Sequence, residues 1–252
     1  MLQNYFINEQ AFKQRNSHKH MLDLYRIGAV SLDLDDTLWP ILPALKAAER
    51  ALQDWLSAHS PMTAALFSTP QSLTEIRDRV LATRPEIKHD LGALRRESIR
   101  LAMYRAGEDP LQAEAAFAAF YAVRNQVTLY PEAAKALDRL AAKYPLVALT
   151  NGNADLALTG VGRWFKASVS AKTVGKGKPH IEAFNAASAA IGLRNTGVVH
   201  VGDDVSMDVF GALNAGMQAV WINREPQTDG EGTVPLVTQV HNLTQLCEVL
   251  GA

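Results

Sequence analysis

Two aspartates separated by one residue follow an apolar run near the start of the chain. Residues 29–32 lead directly into Asp33, Asp35, Asp36 and Thr37. A buried strand that ends in carboxylates delivers them to the carboxyl edge of a sheet, where open α/β folds place their chemistry. There Asp33 can act as a nucleophile and metal ligand, and Asp35 can give a proton to a leaving group and later take one from water. The same cluster also fits a helix cap or a solvated turn, so this segment alone leaves both interpretations open.

A second apolar run ends in a hydroxyl and an amide. Residues 145–149 lead into Thr150 and Asn151, and a turn of this composition presents a hydroxyl and successive backbone N–H groups to an anion. Lys178 stands farther along, directly before a proline and a helical pattern, where it is a point charge available for phosphate. Lys176 is a rival for this role, but the proline fixes the helix start beside Lys178 and favours that residue.

The last such run, residues 198–202, ends in Asp203 and is followed by Asp208. Strands that are joined by helices pair in parallel through right-handed crossovers, so the polar ends of all these strands lie along one edge of the sheet. Four separate clusters thereby become one site, with the side-chain types that phosphoryl transfer needs.

These segments, in this order, resemble the four motifs of the haloacid dehalogenase superfamily of aspartyl-phosphate phosphatases. The similarity extends from about residue 27 to the C-terminus, and the motifs are Asp33-x-Asp35-x-Thr37, Thr150, Lys178-Pro179 and Gly202-Asp203-x-x-x-x-Asp208. Further segments resemble a bacterial branch that dephosphorylates FMN and the riboflavin precursor 5-amino-6-(5-phosphoribitylamino)uracil. They are residues 84–90, 130–132, 149–153 and 200–204.

The resemblance implies that Asp33 attacks phosphorus to form an aspartyl-phosphate, which water then hydrolyses. A divalent cation is needed because the nucleophile and the phosphate are both negative. Mg²⁺ prefers hard oxygen ligands and keeps several waters, so Asp33, the backbone carbonyl of Asp35 and Asp203 are the expected metal ligands.

The remaining motif residues are expected to hold the phosphate and to orient the groups that react. Thr150, Lys178 and backbone N–H groups near Asn151 are expected to bind the phosphoryl oxygens. Asp208 is expected behind the metal, where it orients a metal-bound water or Lys178. Thr37 is expected to hydrogen-bond the acid–base aspartate and hold its rotamer.

The pattern along the chain predicts an α/β fold, with a Rossmann-like parallel sheet core and an inserted α-helical cap domain. Residues 27–40 and 127–252 form the predicted core, residues 41–126 the cap, and residues 1–26 an N-terminal extension. The predicted strands are residues 28–33, 145–150, 167–170, 197–201 and 217–222. The predicted helices are residues 40–58, 71–83, 88–107 and 110–126 in the cap, and 131–143, 180–192 and 206–215 in the core.

Composition limits the classes of partner. The chain has 252 residues, 48% hydrophobic and 20% charged, with a net charge of −1, which argues against binding nucleic acid. Its one cysteine, Cys247, excludes an internal disulfide and any multi-cysteine metal site. No apolar stretch approaches the length of a membrane span, so we expect a cytoplasmic enzyme, monomeric or homodimeric, with a small phosphomonoester as its partner.

Substrate choice is expected to lie in the cap. His89, Arg95 and Arg96 fall on the third predicted cap helix and are candidate substrate contacts, although a solvated helix face also explains charged residues there. Trp39 follows the catalytic acids, where it belongs either to a hinge that touches substrate or to the packed core.

Several alternatives share this pattern. A phosphoglycolate or sugar-phosphate phosphatase, or a phosphomutase, would use the same aspartyl-phosphate. A haloalkanoate dehalogenase would share the nucleophile but does not need a second acid, so the presence of Asp35 argues against it. A catalytically silent binding protein is the non-enzymatic alternative, and the intact motifs argue against it. The sequence thus predicts a Mg²⁺-dependent phosphatase with FMN or the phosphorylated riboflavin precursor as substrate.

Overall fold

Six parallel strands form one sheet in the part of the chain that the structure describes. The structure is a computed structural model and describes residues 22–67, 70–224 and 237–252. The strands are β1 (Ala29–Leu32), β2 (Leu146–Thr150), β3 (Phe165–Ser170), β4 (Val198–Gly202), β5 (Gln218–Ile222) and β6 (Thr238–Val240). Their order in the sheet is β3-β2-β1-β4-β5-β6. Most of the predicted N-terminal extension, residues 1–21, lies outside the described residues.

Strand β1 lies inside the sheet, between β2 and β4. Val30 aligns with Leu146 of β2 and with Val199 of β4, and every residue of these three strands is buried. Strands of a parallel sheet that is covered on both faces are continuous apolar runs, which is why the sequence predicts them. The chain order reverses between β1 and β4, and open α/β sheets bind their ligands at such a switch point. The predicted Rossmann-like α/β fold is confirmed.

Helices follow the strands along the chain. Between β1 and β2 lie α1 (Ile41–His59), α2 (Pro61–Leu66), α3 (Pro70–Thr83), α4 (Leu91–Ala106), α5 (Ala113–Arg124) and α6 (Ala133–Lys143). The later elements are α7 (Ala171–Val174), α8 (Ile181–Ala189), the π-helical turn Val205–Phe210, α9 (Gly211–Asn214) and α10 (Leu243–Leu250).

Some predicted elements differ from the observed ones for local reasons. The predicted helix 88–107 begins only at Leu91, because the side chain of Asp90 accepts a hydrogen bond from a backbone N–H of its first turn and caps it there. The predicted helix 206–215 is instead the π-helical turn Val205–Phe210 followed by the short α9. Helix α2 and strand β6 are too short for their patterns to be recognised, and neither was predicted.

The sheet is packed on both faces. One apolar cluster joins Leu137 of α6 and Leu246 of α10 to β1, and Cys247 is packed there as well. A second cluster joins Phe184 of α8 to Val147 of β2 on the opposite face. Between them the two clusters hold the sheet rigid, so that residues at its carboxyl edge keep fixed positions.

Among the helices between β1 and β2, those that precede α6 have an apolar cluster apart from the sheet. It contains side chains from α1, α4 and α5, among them Leu52, Ile99, Met103 and Phe120. A separate cluster is what an inserted cap needs, while the exact division into cap and core domains stays a prediction. No described helix is both long enough and apolar enough to span a bilayer.

We expect Leu137→Ala to destabilise the protein by about 2–5 kcal/mol, because it removes a fully buried side chain from the cluster under β1 and leaves a cavity. Urea denaturation measures the free energy of unfolding. Lys135→Ala, an exposed change on the same helix, is the control and should stay within about 0.5 kcal/mol of wild type. Equal losses for the two variants would contradict the packing described here.

Candidate active site

The turn after β1 fixes the first two aspartates. The N–H of Asp33 donates to the carbonyl of Val201 at 2.9 Å, so the pairing with β4 continues one residue beyond the strand. Asp36 then adopts a left-handed backbone conformation, with φ of 57°, which folds the chain back on itself. The Asp36 side chain accepts from the N–H of Ile41 at 3.0 Å at the start of α1. Asp36 is therefore the helix-capping acid of this cluster, which leaves Asp33 and Asp35 for other roles.

Lys178 lies between two carboxylates. Its Nζ is 2.6 Å from Oδ1 of Asp33 and 2.6 Å from Oδ1 of Asp208, and all three residues are buried. Lys176, the rival candidate, is exposed and forms an ion pair with Glu182. The structure therefore places Lys178, and not Lys176, beside the candidate nucleophile.

The side chain of Asn151 holds the backbone of Lys178. Its Nδ2 donates to the Lys178 carbonyl at 2.9 Å, and its Oδ1 accepts from the Lys178 N–H at 2.7 Å. The Asn151 side chain thus positions the lysine loop, and the expected phosphate contact of the backbone N–H groups near Asn151 stays a prediction. Thr150 is buried, and its Oγ1 accepts from the N–H of Gly152 at 2.9 Å. That bond leaves the Thr150 hydroxyl hydrogen available to another acceptor.

A buried histidine holds Asp208 from behind. His200 Nε2 is 3.1 Å from Oδ1 of Asp208, and His200 Nδ1 is 2.8 Å from the hydroxyl of Ser31. The other carboxylate oxygen, Oδ2, accepts from the N–H of Asp204 at 3.0 Å. Burial lowers the pKa of His200, so the ring is neutral, and the contacts assign its N–H to Nε2. His200 was not predicted as a site residue, although a histidine inside a buried apolar strand is a signal that could have found it.

Burial and mutual repulsion set the charges of the cluster. Burial raises the pKa of Asp33 to about 8; the Lys178 ammonium opposes this shift, and the Asp208 carboxylate adds to it. Burial also acts on Asp208, but Lys178 outweighs it and holds the pKa of that carboxyl well below its usual range. Burial would lower the pKa of Lys178, yet its two carboxylate neighbours raise it, so the amine is charged. One buried cation is thus shared by two buried acids.

Asp203 completes the acidic cluster. Burial and the charge of Asp208 raise the pKa of Asp203 to about 6. Its Oδ1 accepts from the hydroxyl of Thr37 at 3.5 Å. The prediction that Thr37 hydrogen-bonds Asp35 is therefore wrong. The left-handed Asp36 lies between these two residues and turns the Thr37 hydroxyl toward the end of β4.

The cluster has the donors that a hard cation needs. Asp33, Asp203 and Asp208 each offer a carboxylate oxygen, and these oxygens lie within 4.8 Å of one another. Lys178 and His200 already occupy Oδ1 of Asp208, which leaves Asp33 and Asp203 as the carboxylates best placed to contact an ion directly. Burial is the main cause of the raised pKa at both acids and the charge of Asp208 adds to it, so a bound cation would favour their charged forms. An all-oxygen set of this kind fits Mg²⁺.

Asp35 is held on the other side of the turn by two donors. Trp39 Nε1 donates to its Oδ1 at 2.8 Å, and Arg124 Nη2 donates to Oδ1 at 2.9 Å and to Oδ2 at 2.7 Å. Trp39 is fully buried in the apolar cluster under the sheet, so its predicted contact with substrate is wrong and its core interpretation is right. Sequence reasoning missed Arg124, the last residue of α5, because no motif marks it.

A cavity of about 370 Å³ opens beside Asp35, between the inserted helices and the loop after β2. Arg95, a predicted substrate contact, lines this cavity. Its guanidinium lies 3.9 Å from the ring centroid of Phe120 and pairs with Glu49 at 2.7 Å. Arg124 and Phe120 belong to the same wall.

His89 and Arg96 lie at a second cavity, of about 340 Å³. His89 precedes α4 instead of lying on it, because the helix begins after Asp90. Arg96 stacks over Phe117 at 4.7 Å from the ring centroid. The two cavities have three lining residues in common, which are Leu91, Gly152 and Asn153. The predicted contacts are thus divided between two neighbouring spaces.

Comparison with known proteins agrees with this fold. The family model for haloacid dehalogenase-like hydrolases matches residues 27–216. The 5-amino-6-(5-phospho-D-ribitylamino)uracil phosphatase YigB of Escherichia coli strain K12 is 35% identical over 206 residues, which are 80% of this chain and 86% of that protein. The phosphoserine phosphatase of Thermus thermophilus is 36% identical over 139 residues, 53% of this chain and 56% of that protein. A crystal structure of a 2-haloacid dehalogenase from Pseudomonas syringae pv. tomato DC3000 superposes with a TM-score of 0.82 at 39% identity, covering 89% of this chain and 98% of that one.

The buried lysine and its two carboxylate partners lie at the switch point of the parallel sheet, and the residues that match the hydrolase family model include all three. The chain belongs to the haloacid dehalogenase-like hydrolase family. Within the family it is an enzyme of the phosphatase type.

We expect Mg²⁺ to raise the unfolding temperature of the wild-type protein, because an ion that binds only the folded state stabilises it by about 2.7 kcal/mol at a concentration 100 times its Kd. Asp203→Asn should abolish most of this rise. Asp204→Asn is the matched control, since Asp204 is exposed and an asparagine still caps the helical turn that follows. Differential scanning calorimetry with Mg²⁺ or EDTA makes the measurement. An equal rise in wild type and Asp203→Asn would exclude this ion site.

We expect Gly152→Ala to lower kcat/KM by about 100-fold with little loss of stability. A Cβ at this position would lie 2.6 Å from Oδ2 of Asp35 and 3.2 Å from Oγ1 of Thr150, so both side chains must move. Steady-state kinetics and a thermal melt separate the two effects. Gly197→Ala is the control, because its nearest new neighbour is 3.8 Å away. Wild-type activity in Gly152→Ala would show that this close approach has no role in turnover.

Proposed function

We propose that this enzyme is a Mg²⁺-dependent phosphomonoester hydrolase that works through an aspartyl-phosphate on Asp33. The observation that carries the proposal is the position of Lys178, whose Nζ lies 2.6 Å from both Asp33 and Asp208. A fixed cation beside a buried carboxylate lets that carboxylate approach an anionic phosphate.

In the first step, Asp33 attacks phosphorus and the leaving-group oxygen departs. Lys178 stabilises charge on the phosphoryl oxygens, and the Thr150 hydroxyl donates to one of them. The N–H of Gly152 occupies a lone pair of Thr150 Oγ1, which directs the hydroxyl hydrogen elsewhere. Asp35 gives its proton to the leaving oxygen, which an alkyl phosphate requires because an alkoxide is a poor leaving group.

In the second step, water hydrolyses the aspartyl-phosphate. Asp35, which has lost its proton, accepts one from this water and returns to its starting state. Trp39 and Arg124 keep the carboxylate in one orientation throughout. We propose that Asp33, Asp203 and the backbone carbonyl of Asp35 hold Mg²⁺, which when bound neutralises the negative charge that nucleophile and phosphate bring together.

The leading substrates are FMN and 5-amino-6-(5-phosphoribitylamino)uracil. Both are primary alkyl phosphates with a polyol chain and a flat ring, and the second is the substrate for which the Escherichia coli relative is named. The two cavities, of about 370 and 340 Å³, are of the size that small-molecule pockets have. Phe117, Tyr121 and Phe120 supply aromatic walls. We propose that helices α1 to α5, which belong to the predicted cap, exclude water during turnover.

Dehalogenation is the second candidate, because the similar Pseudomonas syringae structure is described as a 2-haloacid dehalogenase. Removing a halide needs no proton, whereas this chain holds a second acid, Asp35, with a tryptophan and a buried arginine. The presence of that acid favours phosphate esters. Phosphoglycolate and sugar phosphates would satisfy the same chemistry, and a phosphomutase would return the phosphoryl group to substrate.

We expect phosphate release from FMN, the riboflavin precursor, phosphoglycolate or a sugar phosphate in Mg²⁺ but not in EDTA, and no halide release from 2-chloropropionate. Asp33→Asn should abolish turnover. Asp36→Asn is the control and should keep most of the activity, because asparagine also adopts the left-handed conformation and caps α1. The largest kcat/KM identifies the preferred ester.

Halide release without phosphate release would contradict the proposed reaction, and full activity in Asp33→Asn would contradict the proposed nucleophile. Phosphoryl return to a second position of a sugar phosphate, with no free phosphate, would instead identify a mutase.

A further inference from the structure

Arg124 connects the inserted helices to the acid–base aspartate. It is the last residue of α5, it is 2% exposed, and its Nη2 donates to both oxygens of Asp35 at 2.9 and 2.7 Å. The next residue, Asn125, is fixed as well, because its Oδ1 accepts from the N–H of Asp155 at 2.8 Å. The arginine therefore reaches Asp35 from a rigid support.

The contacts of Asp35 leave one acceptor position open. A carboxylate has about four lone-pair sites. Oδ1 accepts from both Trp39 and Arg124, and Oδ2 accepts from Arg124. The remaining site is on Oδ2, the oxygen that lies against Gly152. The proton that Asp35 gives to the leaving group is thus carried on one oxygen, Oδ2.

A second nitrogen of Arg124 has no acceptor. In the described part of the chain, Arg124 Nη1 is buried and lacks a hydrogen-bond partner. A buried unsatisfied donor is unfavourable, and more so when it is charged. Arg124 lines the cavity beside Asp35, where the leaving group must lie if Asp35 is to protonate it. The acceptor that Nη1 lacks can then be supplied by a bound substrate, as an oxygen of the leaving group.

We propose that Arg124 positions Asp35 through Nη2 and binds an oxygen of the substrate's leaving group through Nη1. The inference rests on the proposed phosphatase activity. Arg124 thereby aligns the acid with a leaving group that it holds by an oxygen next to the ester, and it does so from a helix of the predicted cap.

The test compares two kinds of ester. p-Nitrophenyl phosphate has a leaving group that departs without a proton, whereas FMN requires one. Hydrolysis of the aspartyl-phosphate uses Asp35 whichever ester formed it, so the first step is measured by itself, as single-turnover release of riboflavin or p-nitrophenol. We expect Arg124→Gln to slow release of riboflavin from FMN by about 100-fold, the effect of a misplaced reacting group, and to slow release of p-nitrophenol far less. In an Asp35→Asn background, Arg124→Gln should add little further loss on FMN, because the group that it positions is gone.

Arg224→Gln is the matched control. Arg224 also has a buried nitrogen without a partner in the described chain, its Nε, and it donates to the carbonyl of Thr37 at 2.7 Å and to Glu132 at 2.8 Å, not to Asp35. Its loss should affect both esters alike. Equal reductions in the rate of product release from both esters in Arg124→Gln would overturn the positioning role. So would a reduction on FMN that is as large in the Asp35→Asn background as in the wild-type background. A wild-type enzyme that releases no phosphate from either ester would instead contradict the proposed function.

The Nη1 contact has its own readout. 2-Hydroxyethyl phosphate carries a hydroxyl beside the ester, and ethyl phosphate lacks it. We expect wild type to have a lower KM for the hydroxylated ester, and Arg124→Gln to lose this preference. Thermal melts check that Arg124→Gln is folded. If it is unfolded, Arg124→Lys is used in its place, because lysine keeps the charge but loses the planar fork. Arg124→Lys should keep only part of the preference. A preference that is absent in wild type or unchanged in the folded variant would overturn the Nη1 contact.

Discussion

Two buried carboxylates, a half-buried carboxylate and one buried ammonium meet at the carboxyl edge of the sheet, and the surrounding structure must hold them there. Lys178 contacts Asp33 and Asp208 at 2.6 Å each, while Asp203 stands close by. Charges removed from water are costly unless they are paired and hydrogen-bonded. The parallel sheet meets this demand because neighbouring strands end together, which brings residues that are far apart in the sequence to one place.

Three charged residues of the site are each held by a polar residue that does not itself react. Asn151 fixes the backbone of Lys178, His200 fixes Asp208, and Arg124 fixes Asp35. Close approach also requires small residues. A Cβ at Gly202 would lie 2.2 Å from Cγ of Asp208, so the glycine before Asp203 makes room for the carboxylate that pairs with the lysine. The motif Gly202-Asp203 thus contributes one candidate ligand and the space for another acid. We infer that preorganisation of this kind, more than any single contact, allows the proposed chemistry.

The sequence predicted the parts of this arrangement that depend on strong local patterns. Apolar runs that end in acids marked β1 and β4, and parallel pairing brought their ends together. Contacts set by backbone turns or by distant residues could not be predicted. Thr37 meets Asp203 because Asp36 is left-handed, and Arg124 meets Asp35 across 89 positions of the chain without a motif to mark it. Substrate contacts are the least predictable, since the adjacent residues Arg95 and Arg96 of α4 line different cavities and His89 lies before that helix.

The most direct test of the account is to look for the aspartyl-phosphate itself. Wild-type enzyme would be mixed with FMN and Mg²⁺, quenched in acid within the first turnover, digested and examined by mass spectrometry. The account predicts a phosphorylated peptide that contains Asp33, which is absent from Asp33→Asn and which decays as phosphate appears. Phosphate release at the same rate with no phosphorylated peptide, or with the phosphoryl group on another residue, would contradict the central claim.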